Sequence, residues 1–256
     1  MKNLFPLVLA IIFLYTGQVF GQREAQRQKI SDPYSKADTR IDNNGYWKKM
    51  AAKGLAKLND AQPVPPSTYN GSEIRAFSVI TEDSPDVPVA PSNTTQSENS
   101  TFVAPSDPML VINSNNSSQN PMGSFYGANA LESEDGGLTW GGTVQGPGGY
   151  NSGDPVALIG LDGAYYIGFI SASGGQALSK STNNGASYTV YNVANAPGGG
   201  LLDKNHLWID NSLTSPYAGN LYDAWTDFGG SIDSEIGFSR STNGGSVWSG
   251  PVSPER

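Results

Sequence analysis

The chain has 256 residues, of which only 15% are charged, against 31 glycines and 17 prolines; that mix suits short strands joined by turns better than long helices. The net charge of −8, with scattered acids and no stripe of lysine or arginine, excludes a nucleic-acid partner, because nothing replaces phosphate counterions. The lack of cysteine excludes disulfides, thiol catalysis, a lipidated cysteine and cysteine-bound metal, so packing and hydrogen bonds alone must hold the fold.

The N-terminus, MKNLFPLVLAIIFLYTGQVFGQ, sets one lysine before an apolar run and small residues around Gly21. This predicts a signal peptide over 1–21, hence an exported, secreted or cell-surface protein with no stable membrane span after cleavage. The alternative is an uncleaved anchor, since a run of about 17 residues is at the low end of what crosses a bilayer. Residues 22–95 are then expected to be an N-terminal extension. A polar spacer leads into NNGYWKKMAAKGLAKLND, whose apolar residues from Tyr46 to Leu58 recur at helical spacing with Asn43 or Asn44 as the cap. A stiff QPVPPS linker follows, then a short strand over Glu73–Ile80 and an extended Pro/Thr-rich stretch.

From about residue 96 the chain repeats. SEDGGLTW at 133–140 returns as STNNGASY at 181–188 and STNGGSVW at 241–248, offset by 48 and 60 residues. The columns are Ser133/Ser181/Ser241, Asp135/Asn183/Asn243, Gly137/Gly185/Gly245 and Trp140/Tyr188/Trp248. Strand-like runs precede each copy, and the period is that of a four-stranded propeller blade. An Asp or Asn here can close a turn by accepting from backbone amides two or three residues on. The glycine allows positive φ, and the aromatic buries its ring on the neighbouring sheet.

These segments resemble Asp-boxes, the bacterial neuraminidase (BNR) repeats with the pattern Ser/Thr-x-Asp-x-Gly-x-Thr-Trp. The first copy matches throughout; the others depart at Asn183, Asn243 and Tyr188. The resemblance is to secreted bacterial β-propellers of the sialidase-like superfamily and covers roughly 96–253. It implies an all-β fold of four-stranded antiparallel blades over 96–256, about three present and the ring incomplete, behind a short helix. In that family the box is structural, on the blade rim.

Aligning the inner strands gives a second column: Glu98 before NSTFVA, Asp154 before PVALIG and Asp203 before KNHLWID, 56 and 49 residues apart. Inner strands line a propeller's channel, so these acids, with Lys204 and His206 (the only histidine), could converge on a site for a sugar or for a hard cation such as Ca²⁺; no other cofactor is suggested. Like charges brought together raise at least one carboxyl pKa. The plainer reading is that each acid caps a strand entry. The resemblance also implies substrate-binding arginines, a tyrosine–glutamate nucleophile and an aspartate acid/base. Only Arg75 in EIRAF loosely matches the first arginine's segment, and Arg240 decorates the strand before the third box. The resulting expectation is a sialidase-like glycoside hydrolase or glycan-binding propeller, an N-terminal fragment without a full catalytic set. The alternative is a non-catalytic propeller for protein or cell-surface interaction.

Overall fold

The computed structural model describes residues 37–41, 43–57, 75–76, 79–80, 87–90, 94–119, 125–147, 149–230, 232–233 and 235–253. The predicted signal peptide, most of the spacer and the QPVPPS linker lie outside them. Helix α1 (Asn44–Ala52) starts at Asn43, whose side chain accepts from the Tyr46 amide. The apolar spacing runs on to Leu58, but the helix stops six residues earlier. Gly54 turns left-handed (φ +70°), and the amides of Lys53, Gly54 and Leu55 fold back on the carbonyls of Lys49, Met50 and Ala51. The predicted strand over 73–80 is instead two pieces, β1 (Arg75–Ala76) paired with β2 (Val79–Ile80).

Three antiparallel sheets follow, each of up-and-down strands. The first contains β3 (Thr94–Ala104), β4 (Asp107–Gln119), β5 (Phe125–Ala128), β6 (Ala130–Ser133) and β7 (Gly141–Thr143), in the order β3-β4-β6-β7 with β5 also on β4. The second is β8 (Gly153–Ile159), β9 (Tyr165–Ile170), β10 (Gln176–Ser181) and β11 (Thr189–Ala194), in sequence order. The third is β12 (Leu201–Ile209), β13 (Leu221–Phe228) and β14 (Ile236–Ser241), with Val252 bridging to Phe238 as the start of an outer edge. This is the blade arrangement of a β-propeller, with β3, β8 and β12 as neighbouring inner strands.

Burial explains the composition of each strand. The second sheet is packed on both faces, so β9 reads YYIGFI with every residue buried. One core joins it to the first sheet through Ile112, Ile159, Tyr165, Ile167 and Phe169. Another joins it to the third through Leu158, Tyr166, Leu178, Leu207, Leu221 and Trp225. The third sheet alternates strictly along β13: Leu221 and Trp225 turn inward, while Trp208 of β12 stays 56% exposed on the other face. By register, Trp208, Tyr222 and Arg240 occupy the places that Leu158, Tyr166 and Lys180 hold in the second sheet.

The three repeated turns share one hydrogen-bond pattern. Ser133, Ser181 and Ser241 donate to Oδ1 of Asp135, Asn183 and Asn243 at 2.8, 2.9 and 2.9 Å. The amides of Gly137, Gly185 and Gly245 donate to the same serines at 2.8, 3.0 and 2.9 Å. Oδ1 also accepts from the amide four residues on, of Thr139, Ser187 and Val247, at 2.8, 3.0 and 2.9 Å. The reach is thus longer than the two or three residues expected, and the serine shares the work. One oxygen does the closing, which is why asparagine replaces aspartate at no structural loss. The second atom only adds a local bond: Asp135 Oδ2 accepts from Thr139 Oγ1 at 2.6 Å, whereas Asn183 Nδ2 donates to Ser187 Oγ at 2.9 Å.

Each later turn also seats on the preceding sheet. Asn184 donates to Glu134 at 2.9 Å, and Lys180 donates to the Gly244 carbonyl at 3.1 Å while lying over Tyr166. Trp140 and Trp248 return their indole N–H to the Gly137 and Gly245 carbonyls at 3.0 Å. Tyr188 packs on the core between the first two sheets but lacks that donor, and its hydroxyl is buried without a hydrogen-bond partner. Tyr188→Phe is therefore expected to stabilise the chain by about 1 kcal/mol, because a desolvated, unpaired hydroxyl is removed with the ring kept; urea denaturation measures this, and a loss of similar size would mean that the hydroxyl is bonded.

Candidate functional site

The inner strands share one feature, near the start of β8 and β12 and midway along β3. Each carries a β-bulge, between Ser97 and Ser100, Gly153 and Val156, and Asp203 and His206. In each bulge one non-glycine residue is left-handed: Glu98 (φ 57°), Asp154 (φ 57°) and Lys204 (φ 47°). A left-handed L-residue costs roughly 1–2 kcal/mol, and a bulge re-aims a side chain out of the strand's alternation. The structure corrects the sequence alignment here. The third member of the column is Lys204, and Asp203 stands one place earlier, beside Ser97 and Gly153. Two bulges carry an acid, buried at Asp154 and exposed at Glu98, and the third carries an exposed cation.

These side chains meet. Asp154 is 3% exposed. Burial, a hydrogen bond shared with Glu98 and the charges of Glu98 and Asp203 push its carboxyl up to about 8, against the opposing pull of Lys204. Burial therefore favours the protonated form of Asp154. Lys204 Nζ lies 3.5 Å from Glu98 Oε2, both side chains being about half exposed. Asp203 is buried at 7% exposure.

Asparagines fix Asp154 from three sides. Asn116 Oδ1 accepts from the Asp154 amide at 2.8 Å, and its Nδ2 approaches Asp154 Oδ1 at 3.4 Å. Asn205 bridges the Asp154 carbonyl and the Phe169 amide at 2.7 and 3.0 Å. Asn43 Nδ2 donates to the Ser152 carbonyl at 2.8 Å and reaches Asp154 Oδ2 at 3.5 Å. None of the three stood out in the sequence as a site residue. Asn43 was legible only as a cap, and Asn116 is 5% exposed within β4.

The other candidates stand apart. His206 is exposed two residues beyond Lys204, and no hydrogen bond or ion pair among the described residues links it to the cluster. The Arg75 side chain lies outside the described residues. Among the described residues no three acids or histidines are disposed to hold a metal ion such as Ca²⁺, and Lys204 stands against one acid of the cluster.

A cavity of about 560 Å³ lies between α1 and the blade loops, walled by Lys48, Lys53, Phe125, Tyr150, Asn151 and Ser152 among others and by none of the four cluster residues. A second, of about 520 Å³, is walled by Phe102, Trp208, Tyr222 and the Asp210–Ser212 loop. Each holds aromatic surface and polar groups, the combination that suits a ring-shaped polar ligand.

Fold and site together define an all-β chain of the β-propeller class with a carboxylate–lysine cluster at its inner-strand bulges. No family model matches the chain, and no curated protein is similar enough to it to count as a relative. Among solved structures it is similar to a GH62 hydrolase in complex with xylotriose, at 12% identity over 62% of this chain and 50% of that one, with a TM-score of 0.43. It is similar to an alpha-L-arabinofuranosidase from Fusarium graminearum in complex with an iminosugar inhibitor, at 13% identity over 62% and 48%, with a TM-score of 0.41. A Trypanosoma rangeli sialidase is similar at 11% identity over 60% and 28%, with a TM-score of 0.36. The chain thus spans half or less of the length of these proteins. At these values the likeness assigns neither a residue nor a reaction. No helix among the described residues is long and apolar enough to cross a membrane.

Proposed function

We propose that this chain belongs to an exported Asp-box propeller of the sialidase-like type that acts on glycans, with Asp154 as proton donor and the Glu98 and Asp203 carboxylates as its anionic partners. The observation that carries the reading is a cluster that sets two carboxyls in opposite environments: Asp154 is buried and its carboxyl raised, while Glu98 is half exposed with Lys204 Nζ 3.5 Å away. Such a split is what acid-assisted glycosidic cleavage requires. Lys204 and Glu98 are both half exposed, where a sugar hydroxyl can reach either. The three matching turns support the Asp-box assignment, and the aromatic walls of the two cavities suit sugar rings.

The test is hydrolysis of a panel of fluorogenic glycosides, sialosides included, together with glycan-array binding. Asp154→Asn is expected to lower kcat by about 100-fold or more, and wild-type activity is expected to fall as pH rises through about 8, where the donor proton is lost. Absence of turnover on every glycoside, with glycan binding indifferent to Asp154→Asn, overturns the reading and puts a non-catalytic interaction module in its place.

A further inference from the structure

Residues 38–41 and 43–52 precede the repeats in sequence, yet side chains among them reach all three sheets. Arg40 pairs with Asp233 at 2.9 Å and lies over the Phe228 ring at 5.1 Å, on the third sheet. Asn43 and Gly45 sit on Ser152, at the entry to the second; a Cβ added to Gly45 would come within 2.9 Å of Ser152 Oγ. Lys48 Nζ stands 5.6 Å from the centre of the Phe125 ring, on the first. The segment is stiffened from within, by Trp47 Nε1 donating to the Ile41 carbonyl at 2.7 Å, by the Asp38 amide donating to Tyr46 Oη at 2.6 Å, and by the buried Ile41, Tyr46 and Met50.

Asn43 is the point where this segment meets the carboxylates, and its orientation is not free. Its Oδ1 is committed to the helix cap, accepting from the Tyr46 amide at 2.9 Å. The amide nitrogen must therefore face the other way, toward the Ser152 carbonyl and Asp154 Oδ2. At 3% exposure it also keeps water off that oxygen. We propose that Asn43 is a positioning residue for Asp154, delivered by the segment of residues 38–41 and 43–52 that straps the three sheets and completes the site. The inference rests on Asp154 being the working carboxyl of the cluster. The groups facing Asp154 are Glu98 from β3, Asn116 from β4, Asp203, Lys204 and Asn205 from β12, and Asn43 from the strap; Asn43 is the one supplied from outside the sheets.

Asn43→Asp separates positioning from capping, because aspartate caps a helix as well as asparagine does but replaces a donor by an anion beside Asp154. Carboxyl ¹³C NMR on aspartate-labelled protein is expected to show the Asp154 titration midpoint rising by about one unit or more, as a like charge within hydrogen-bonding range demands. A midpoint unchanged from the wild type overturns the proposal. Arg40→Ala provides a second measurement should the first variant fold poorly. Releasing the strap at its third-sheet end is expected to speed hydrogen exchange of the Ser152 and Asp154 amides by about tenfold or more, and unchanged exchange overturns the proposal as well. Neither readout needs a substrate. A shifted midpoint in a protein that cleaves no glycoside therefore keeps the strap and discards the glycan reading, and the converse result does the opposite.

Discussion

Asp223→Asn is expected to raise stability by about 2–4 kcal/mol at pH 7 and to leave it nearly unchanged below pH 4. Asp223 sits in the middle of β13, across from Leu207 and Ser239, on the face turned toward the second sheet. It is 1% exposed, and neither carboxylate oxygen has a hydrogen-bond partner of good geometry. Burial pushes the carboxyl up to about 8, with only a weak opposing pull from the Ala224 amide. In the unfolded chain the same group ionises near pH ~3.9. The folded state therefore holds a proton that the unfolded state has lost, and stability falls as pH rises from about 4 to about 8. Asparagine has the shape of the neutral acid and no proton to lose, so its advantage grows across that window and levels off above it. Asp154 is raised in the same sense, so the double variant with Asp154→Asn should flatten the profile further. Urea denaturation at pH 4, 6 and 8 is the measurement. A wild-type-like slope in Asp223→Asn would show that Asp223 is ionised and solvated in the folded protein.

That carboxylate also shows where sequence reading stops. Asp223 lies in NLYDAWTDF, an alternating strand in which it occupies an inward place, but alternation alone marks an aspartate there as an error in the pattern and not as a buried acid. The repeat was legible because its chemistry is local: serine, Asp/Asn and glycine bond within five residues, so the pattern survives in the letters. Glu98 and Asp154 could be paired in the sequence because they share a position relative to their strands. Asp203 was given the place that Lys204 holds because an acid one residue away completed the column on paper, while the equivalence of the two positions is set by the bulges. Asn43, Asn116 and Asn205 were out of reach for another reason. They come from a helix cap, a second strand and a bulge, up to 111 residues from Asp154, and an asparagine in a chain rich in asparagine announces nothing until the fold brings it to a carboxyl.

Gly245→Ala is expected to cost about 3–4 kcal/mol, and the matching Gly137→Ala only about 1–2 kcal/mol. The two glycines hold the same column of the repeat and nearly the same backbone, at φ +87° and +92°. Both therefore carry the left-handed penalty of roughly 1–2 kcal/mol that any L-residue would meet. They differ in what lies above them. A Cβ on Gly245 would collide with Leu178 Cδ2 and press on Leu221 Cδ1 at 3.3 Å, inside the core between the second and third sheets. A Cβ on Gly137 would meet only Trp140 of its own turn, at 3.8 Å. The difference isolates the seating of a turn on the preceding sheet, since Leu178 is fully buried and close-packed and can yield only by disturbing its neighbours. Lys180, two residues on, donates to the adjacent Gly244 carbonyl, so a displaced turn loses that bond as well. Equal losses at the two sites, read from urea midpoints, would mean that the turns close only themselves. A gap of about 2 kcal/mol would establish that the repeat joins blade to blade, leaving the inner-strand bulges free to vary in charge from one blade to the next, acid in two and lysine in the third.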